Sequence, residues 1–397
     1  MNSKIVYLKF FGTVHSYYRI LAHTPPTGYQ FLLRDGVGRM LRNGFVGNVA
    51  ENWLKPIMMQ TRLPEKLLGS CITYLDEPPP ESSITVTNGL LDLRKEPWAP
   101  VIEDAITSLI GFPYDLPLTH KIVEHTLMGD SCKKIIYFFE ATRRSLETTY
   151  ETSGLESKME YVPLGVPLIP RKNRKEKDVV NILFVGSVNF TRRGFNDHWF
   201  YNRGGHIVVK TFMRLCREFH NLTLTMRSQV PPAYLQALND DPRISIVDWP
   251  LAQQEFDELL WSADICLLPI RDSPWLSFLD AMNHELPIVT VNMHANRELV
   301  LDGKWGFVCD VPKIFQPIID GYYIADKEEY KMLWKAWMCD TEAITNNLVK
   351  AVRLLVKDSE LRQAMGKAGR DTIKPDGLFS VERRNTYLKR VLDEATD

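Results

Sequence analysis

The sequence lacks most of the features by which common α/β enzymes are known. No uninterrupted apolar run approaches the ~20 residues that span a bilayer. Charge of one sign is also missing. Forty-eight Lys and Arg stand against 49 Asp and Glu, a formal net charge of −1, without the basic excess that a nucleic-acid-coating protein needs. The six cysteines (Cys71, Cys132, Cys216, Cys266, Cys309, Cys339) are far apart and form no C-x-x-C pair. A disulfide framework or zinc site is therefore not expected, and a reducing compartment is. The N-terminus, MNSKIVYLKFFGTVH, has a lysine on each side of a short apolar stretch and no small-residue cleavage site. It reads as a first strand and not as a signal peptide, so a cytoplasmic protein with at most peripheral membrane contact is expected. Neither Gly12 nor Gly186 begins a G-x-G-x-x-G, and Gly36 to Gly38 lacks the third glycine. Walker A, H-E-x-x-H and G-x-S-x-G sequences are absent as well.

What is present is 397 residues with 45% apolar and 24% charged side chains, enough for two or three domains at roughly 150 residues each. Short apolar strands alternate with amphipathic helices, the pattern of parallel sheets covered on both faces. Strands are expected at Ile5 to Phe11, Ile84 to Gly89, Trp98 to Ile102 and Lys134 to Phe139, followed by a polar helix from about Glu140. The stretch Tyr161 to Asp178 holds three prolines and a dense charge run without apolar periodicity, which is the composition of a linker. Beyond it come strands at Ile182 to Val185, Leu222 to Met226, Ile265 to Leu268 and Ile288 to Val291. Val208, Phe212, Leu215, Cys216 and Phe219 fall on one helical face, as do Leu348, Val352 and Leu355 on a later one.

The most informative stretch runs from Arg271 to Asn292. Ser273 followed by Pro274 is a helix-start signal, with serine as cap and proline in the first helical position. The backbone N–H groups of Trp275 and Leu276 would then lie at a helix end, which favours phosphate. Asp280 sits on the face of Leu276 and Ser277, one turn deeper, and Asp272 stands outside the same mouth. Two carboxylates flanking an anion-binding helix end suit a nucleotide-sugar. A plain helix start with two solvated acids reads equally well from these residues alone.

Asp272-x7-Asp280 followed by A-M-x-x-x-x-P-I-V resembles the E-x7-E motif of glycosyltransferase family 4, the retaining enzymes with the GT-B fold. Other segments resemble that family in the same order: VPLGV at Val162 to Val166, ILFVGS at Ile182 to Ser187, FYNRGG at Phe200 to Gly205 and SADICLLP at Ser262 to Pro269. DGKWGFV at Asp302 to Val308 and LRQAMGKAGR at Leu361 to Arg370 complete the series, which is clear from about residue 160 onward and faint before it. The departures are specific. Both glutamates are aspartates here, Glu285 replaces the glycine before the P-V-V, and His294-Ala295 replaces the later Gly-Gly, with Glu298 kept. Ser187 stands for the arginine after the strand-ending glycine, which leaves Arg192 and Arg193 as its candidate replacements, and Arg203 stands for the family lysine.

The resemblance implies an α/β chain of the GT-B fold, with two Rossmann-like domains facing each other across a cleft. They would comprise residues 1–165 for the acceptor, a linker over 166–178, residues 179–379 for the donor, and a helix over 380–397 that packs back on the first domain. It implies transfer of a sugar from a UDP- or GDP-sugar to a hydroxyl of a saccharide or glycolipid acceptor, with retention, without a metal or other cofactor and without nucleic acid. Asp280 would accept from the ribose hydroxyls. Asp272 would hold the transferred sugar or the charge at its anomeric carbon. Arg203 would neutralise the diphosphate, with Trp275, Leu276 and Ser277 at the helix end. Ser187, Arg227, Val247 and Trp249 lie where such enzymes meet phosphate or base, although an arginine at a strand end is as often a surface salt-bridge partner. On the acceptor side Gly12 ends the first strand, and His15, Glu103 and Asp104 could orient or deprotonate a hydroxyl. A non-hydrolysing sugar-nucleotide 2-epimerase and a glycosyltransferase-like binding subunit remain as alternatives.

Overall fold

The structure is a computed structural model that describes residues 3–10, 14, 16–33, 69–71, 74, 76–103, 109, 117–172, 178–188, 197–271, 275–320 and 327–397. The chain forms two compact units, one chiefly Met1–Pro167 with Leu378–Asp397, the other Leu168–Asp320 with Lys327–Gly377.

The first unit begins with β1 (Lys4–Lys9), α1 (Ser16–His23), β2 (Tyr29–Leu33), β3 (Ser82–Asn88) and β4 (Trp98–Ile102). It continues with α2 (Pro117–Met128), β5 (Ile135–Tyr137), α3 (Glu140–Thr149) and β6 (Met159–Tyr161). The second unit holds β7 (Val180–Val185), α4 (Asp197–Asn202), α5 (Gly205–Leu215), β8 (Leu222–Arg227), α6 (Pro232–Asn239), β9 (Ile244–Val247) and α7 (Gln253–Ser262). After these come β10 (Ile265–Leu268), α8 (Trp275–Asn283), β11 (Ile288–Val291), α9 (Asn296–Leu299), β12 (Gly306–Cys309) and α10 (Gln316–Ile319). The helices α11 (Lys327–Cys339), α12 (Glu342–Lys357) and α13 (Ser359–Asp371) close that unit, and α14 (Val381–Thr396) returns to the first.

Each unit is built on a six-stranded sheet whose ladders are all parallel, in the orders β2-β1-β3-β4-β5-β6 and β12-β11-β10-β7-β8-β9. Central strands of such sheets are covered on both faces and need apolar residues at consecutive positions. β4, β10 and β11 are accordingly buried at every residue. The edge strands are different: β6 is half-buried at all three positions and β9 at three of its four. Neither carries an apolar run, and both go beyond the strands expected from sequence, as do β2 and β12.

Other boundaries also shift. β1 ends at Lys9, two residues before the expected end at Phe11; Phe11 and Gly12 lie outside the described residues. The helical face through Val208, Phe212 and Leu215 is buried, but α5 stops at Leu215, so Phe219 falls outside it. Among the described residues, all six cysteines are free thiols, and no helix is long and apolar enough to cross a membrane.

Within the first unit α14 is fixed by a buried cation. Arg384 is fully enclosed and donates to the Gly165 carbonyl at 3.1 Å and to the Thr24 carbonyl and hydroxyl. Ser380 caps the helix by accepting from the Arg383 N–H at 3.1 Å. Val166 and Ser380 form an isolated parallel bridge beside this contact. A Cβ on Gly165 would stand 2.5 Å from the Ser380 carbonyl oxygen and 2.7 Å from the Arg384 Cβ. Gly165→Ala must therefore push backbone against backbone. It is expected to destabilise by about 1–3 kcal/mol, read as a lower urea midpoint at unchanged slope; an unchanged midpoint would show that the contact yields freely.

Candidate donor site

In the second sheet, successive connections from β7 lead outward through β8 to β9, and the chain then returns to the opposite side of β7 with β10. Neighbouring strands β7 and β10 thus send their connections in opposite directions. In open parallel sheets this is where a ligand sits, beyond the carboxyl ends of the strands. The segments that leave those ends carry most of the residues singled out in the sequence.

After β7, Gly186 approaches β8 so closely that a Cβ would lie 2.3 Å from the Ser228 hydroxyl oxygen. The ladder continues into the loops: Gly186 donates to the Arg227 carbonyl at 2.8 Å, Ser228 to that of Val247 at 3.0 Å and Gln229 to that of Ser187 at 3.0 Å. Ser187 and Val247 are thereby both tied to the Ser228–Gln229 segment, and Trp249, two residues past β9, is half exposed at 51%.

Arg227 is the last residue of β8. Its Nη1 donates to the Gly186 carbonyl at 3.4 Å, and its guanidinium lies 5.5 Å from the centre of the Phe256 ring. Its Nε is buried without a hydrogen-bond partner, and burial alone pushes its pKa down. Among the described residues no carboxylate pairs with this guanidinium, which remains charged.

The turn before α5 explains R-G-G. Gly204 has φ +77°, and a Cβ there would stand 2.0 Å from the Pro269 carbonyl oxygen. A Cβ on Gly205 would meet the Phe200 ring at 2.4 Å. Only glycines let this turn close on the exit of β10, and that closure carries Arg203 to the same edge of the sheet. Arg203 is half-buried, 5.6 Å from the centre of the Trp199 ring.

On α8 every side chain is buried except Leu276, Ser277 and Asp280, which share the one accessible face. Trp275 opens the helix and is 2% exposed; that end carries the positive pole of the helix dipole. The Asp280 carboxylate makes no hydrogen bond or ion pair with a described residue. Burial first, and the like charge of Asp257 second, raise its pKa from 3.8 to about 7. Part of the side chain reaches solvent, but the acid lies near the Cys266 thiol, whose pKa is pushed up first by its own burial and second by Asp280. Behind it His284, 2% exposed, contacts the Asp280 carbonyl through Nδ1 at 2.7 Å and approaches Asp257 at 3.5 Å.

Asp272, the candidate replacements Arg192 and Arg193, and the acceptor-side residues Gly12, His15 and Asp104 lie outside the described residues. Glu103 follows β4, half-buried; its carbonyl accepts from the Thr142 hydroxyl at 2.7 Å. The first sheet has its own switch between β1 and β3. There the last residue of β1, Lys9, is 1% exposed and pairs with Asp92 at 3.2 Å, which also meets Arg94. That buried cluster had no motif to mark it. Two more unforeseen residues belong to the second unit. Asn296 donates to the carbonyls of Ile270 and Val291 at 2.8 and 3.1 Å, tying the exits of β10 and β11, and Arg271, which precedes Asp272 in the sequence, is buried. Among the described residues no group of three or more His, Cys, Asp or Glu stands ready to hold a metal.

Residues 180–320 match the family described as "Glycosyl transferases group 1". No curated protein sequence matches the chain. Among solved structures, HepE of Anabaena in complex with UDP superposes with a TM-score of 0.59 at 11% identity, over 98% of this chain and 99% of that one. Sucrose-phosphate synthase of Thermosynechococcus elongatus gives 0.60 at 13% identity, over 99% of each chain. TarM of S. aureus, in complex with UDP among other ligands, gives 0.53 at 11% identity; 80% of this chain covers 56% of that one. The fold is the GT-B fold of these glycosyltransferase structures, as the motifs of the second half imply.

The raised pKa of Asp280 has a stability consequence. Its folded value lies above its unfolded one, so its stabilising contribution is full when both states are protonated and is lost as pH rises through about 7. Asp280→Asn, which cannot ionise, is expected to gain stability over the parent progressively from pH 4 to pH 7. Above pH 7 the gain should reach roughly 2–4 kcal/mol. A variant-minus-parent melting difference that stays flat with pH would contradict the burial of this acid.

Proposed function

We propose that the chain is a glycosyltransferase of family 4 that takes its sugar from a UDP-sugar and passes it to a hydroxyl of a saccharide or glycolipid, with retention. The observation that carries this reading is the Asp280 carboxylate, which among the described residues has no hydrogen-bond or ion-pair partner, on the one accessible face of α8 and at the same sheet edge as the desolvated guanidinium of Arg227. A half-buried acid and a half-buried cation that do not pair with each other are costly in a folded protein. A ligand with hydroxyls and a diphosphate satisfies both, and the Arg203 turn adds a second cation at that edge. The family match of residues 180–320 supports the reaction class. UDP in the HepE and TarM complexes favours UDP over GDP.

In this reading Asp280 accepts from the ribose hydroxyls. Arg203 and Arg227 oppose the diphosphate, with the α8 end at Trp275, Leu276 and Ser277. Ser187, Val247 and Trp249 line the base and phosphate side. Asp272 faces the transferred sugar. The bond from the anomeric carbon to the diphosphate oxygen breaks as the acceptor hydroxyl attacks from the same face, and the hydroxyl proton passes to the departing phosphate oxygen. No protein nucleophile is required. The protein contributes preorganised positive charge where negative charge develops, the effect that supplies most of the rate enhancement in many enzymes. The first unit would hold the acceptor, with Gly12, His15, Glu103 and Asp104 as its candidate contacts, in a cytoplasmic protein.

A thermal-shift panel of UDP-, GDP- and ADP-sugars tests this directly. One nucleotide class should stabilise by roughly 2.7 kcal/mol at 100 times its dissociation constant, a shift of a few degrees. Asp280→Asn should weaken that response about tenfold in affinity, and Arg203→Ala should cut turnover on the order of 100-fold. A flat response across the panel from a cooperatively melting protein would overturn the assignment.

A further inference from the structure

The family match ends at residue 320, and α11 begins beyond it at Lys327. This helix nevertheless grips two of the segments that carry the site. Arg271 stands between Ile270, at the exit of β10, and Asp272. Its backbone N–H donates to the Asn202 carbonyl at 3.2 Å, one residue before Arg203. Its guanidinium, buried with the residue 6% exposed, lies 5.3 Å from the centre of the Tyr330 ring and 4.9 Å from that of Trp334. Nη2 also reaches the Tyr330 hydroxyl at 3.3 Å. His198 of α4 stacks on Trp334, with 4.6 Å between ring centres and 23° between planes. Trp337 closes the arrangement by donating from Nε1 to the Tyr201 carbonyl at 2.7 Å.

We infer that Arg271, held by Tyr330 and Trp334 of α11, is a positioning residue that fixes the β10 exit at Ile270 and Arg271 against the Arg203 turn. Two ties act on that turn from outside it: the Arg271 N–H on Asn202, and Trp337 on Tyr201. The turn in turn leans on Pro269 through Gly204, just ahead of Arg271. A strand exit and a cation turn held this way keep one separation before a ligand arrives, which lowers the ordering cost of binding. The clamp requires a planar guanidinium between aromatic faces. A lysine keeps the charge but cannot lie flat on two rings. The link to donor binding rests on the transferase reading above; the tie between the two loops does not.

The test uses Arg271→Lys, with Trp334→Leu as a second variant that leaves the arginine in place and replaces a half-buried side chain. Hydrogen exchange of the unliganded full chain should speed up by about tenfold or more at residues 201–204 and 270–271 in both variants, while α12 and β7 stay protected as in the parent. UDP-glucose affinity should fall about tenfold in the parent background and hardly further in an Arg203→Ala background, because the effect runs through the placement of Arg203. Unchanged exchange at both segments, or affinity losses that simply add, would overturn the positioning role. If the parent binds no nucleotide-sugar, the transferase reading fails, and the exchange comparison still decides whether Arg271 ties the loops.

Discussion

Everything at the candidate site depends on one close backbone approach, that of Gly204 to the Pro269 carbonyl. Two chain segments meet there without a side chain between them, at the exit of the strand that reverses the order of the sheet. The approach sets where Arg203 emerges from the turn before α5. It also explains why the segment has two glycines in a row: the first is in a left-handed conformation, and the second has the Phe200 ring where a Cβ would be. A substitution at either position would move a cation rather than merely loosen a turn.

The second constraint is electrostatic. A parallel sheet covered by helices is a poor place to leave a carboxylate, yet Asp280 sits against it with a like charge nearby and no cation among the described residues to answer it. Such an arrangement lowers stability at neutral pH, and proteins retain it where the group has work to do. Arg227 has the complementary character, a guanidinium in apolar surroundings stacked on Phe256. The helix dipole of α8 adds positive potential where that helix begins, with the acid a turn deeper.

Much of the scaffold was legible in the sequence because central parallel strands announce themselves. β4 and β10 are runs of consecutive apolar residues and β11 is one but for Thr290, and their limits agree with the structure to the residue. Edge strands such as β6 and β9 do not, since a half-exposed strand of three or four residues needs no apolar run. The site was legible where it is local. Leu276, Ser277 and Asp280 were placed on one face from helical spacing alone, and they form the accessible face of α8. What spacing could not show was contact between distant segments: the Pro269 neighbour that makes Gly204 necessary, Asn296 tying two strand exits, and Tyr330 meeting Arg271 from 59 residues along the chain. The pairing of Lys9 with Asp92 is of the same kind, fixed by sheet order and not by any motif.

The central claim is that the Asp280 carboxylate, held near neutrality by burial, is completed by the hydroxyls of a nucleotide. Calorimetry of UDP-glucose binding at several pH values, in buffers of different ionisation enthalpy, measures this most directly, because the sugar-linked diphosphate does not itself titrate between pH 5 and 8. Hydroxyl donors favour the ionised acid, so binding should release close to one proton near pH 6 and tighten as pH rises toward 8, and both effects should vanish in Asp280→Asn. Binding that is independent of pH, with no proton released, would contradict the account.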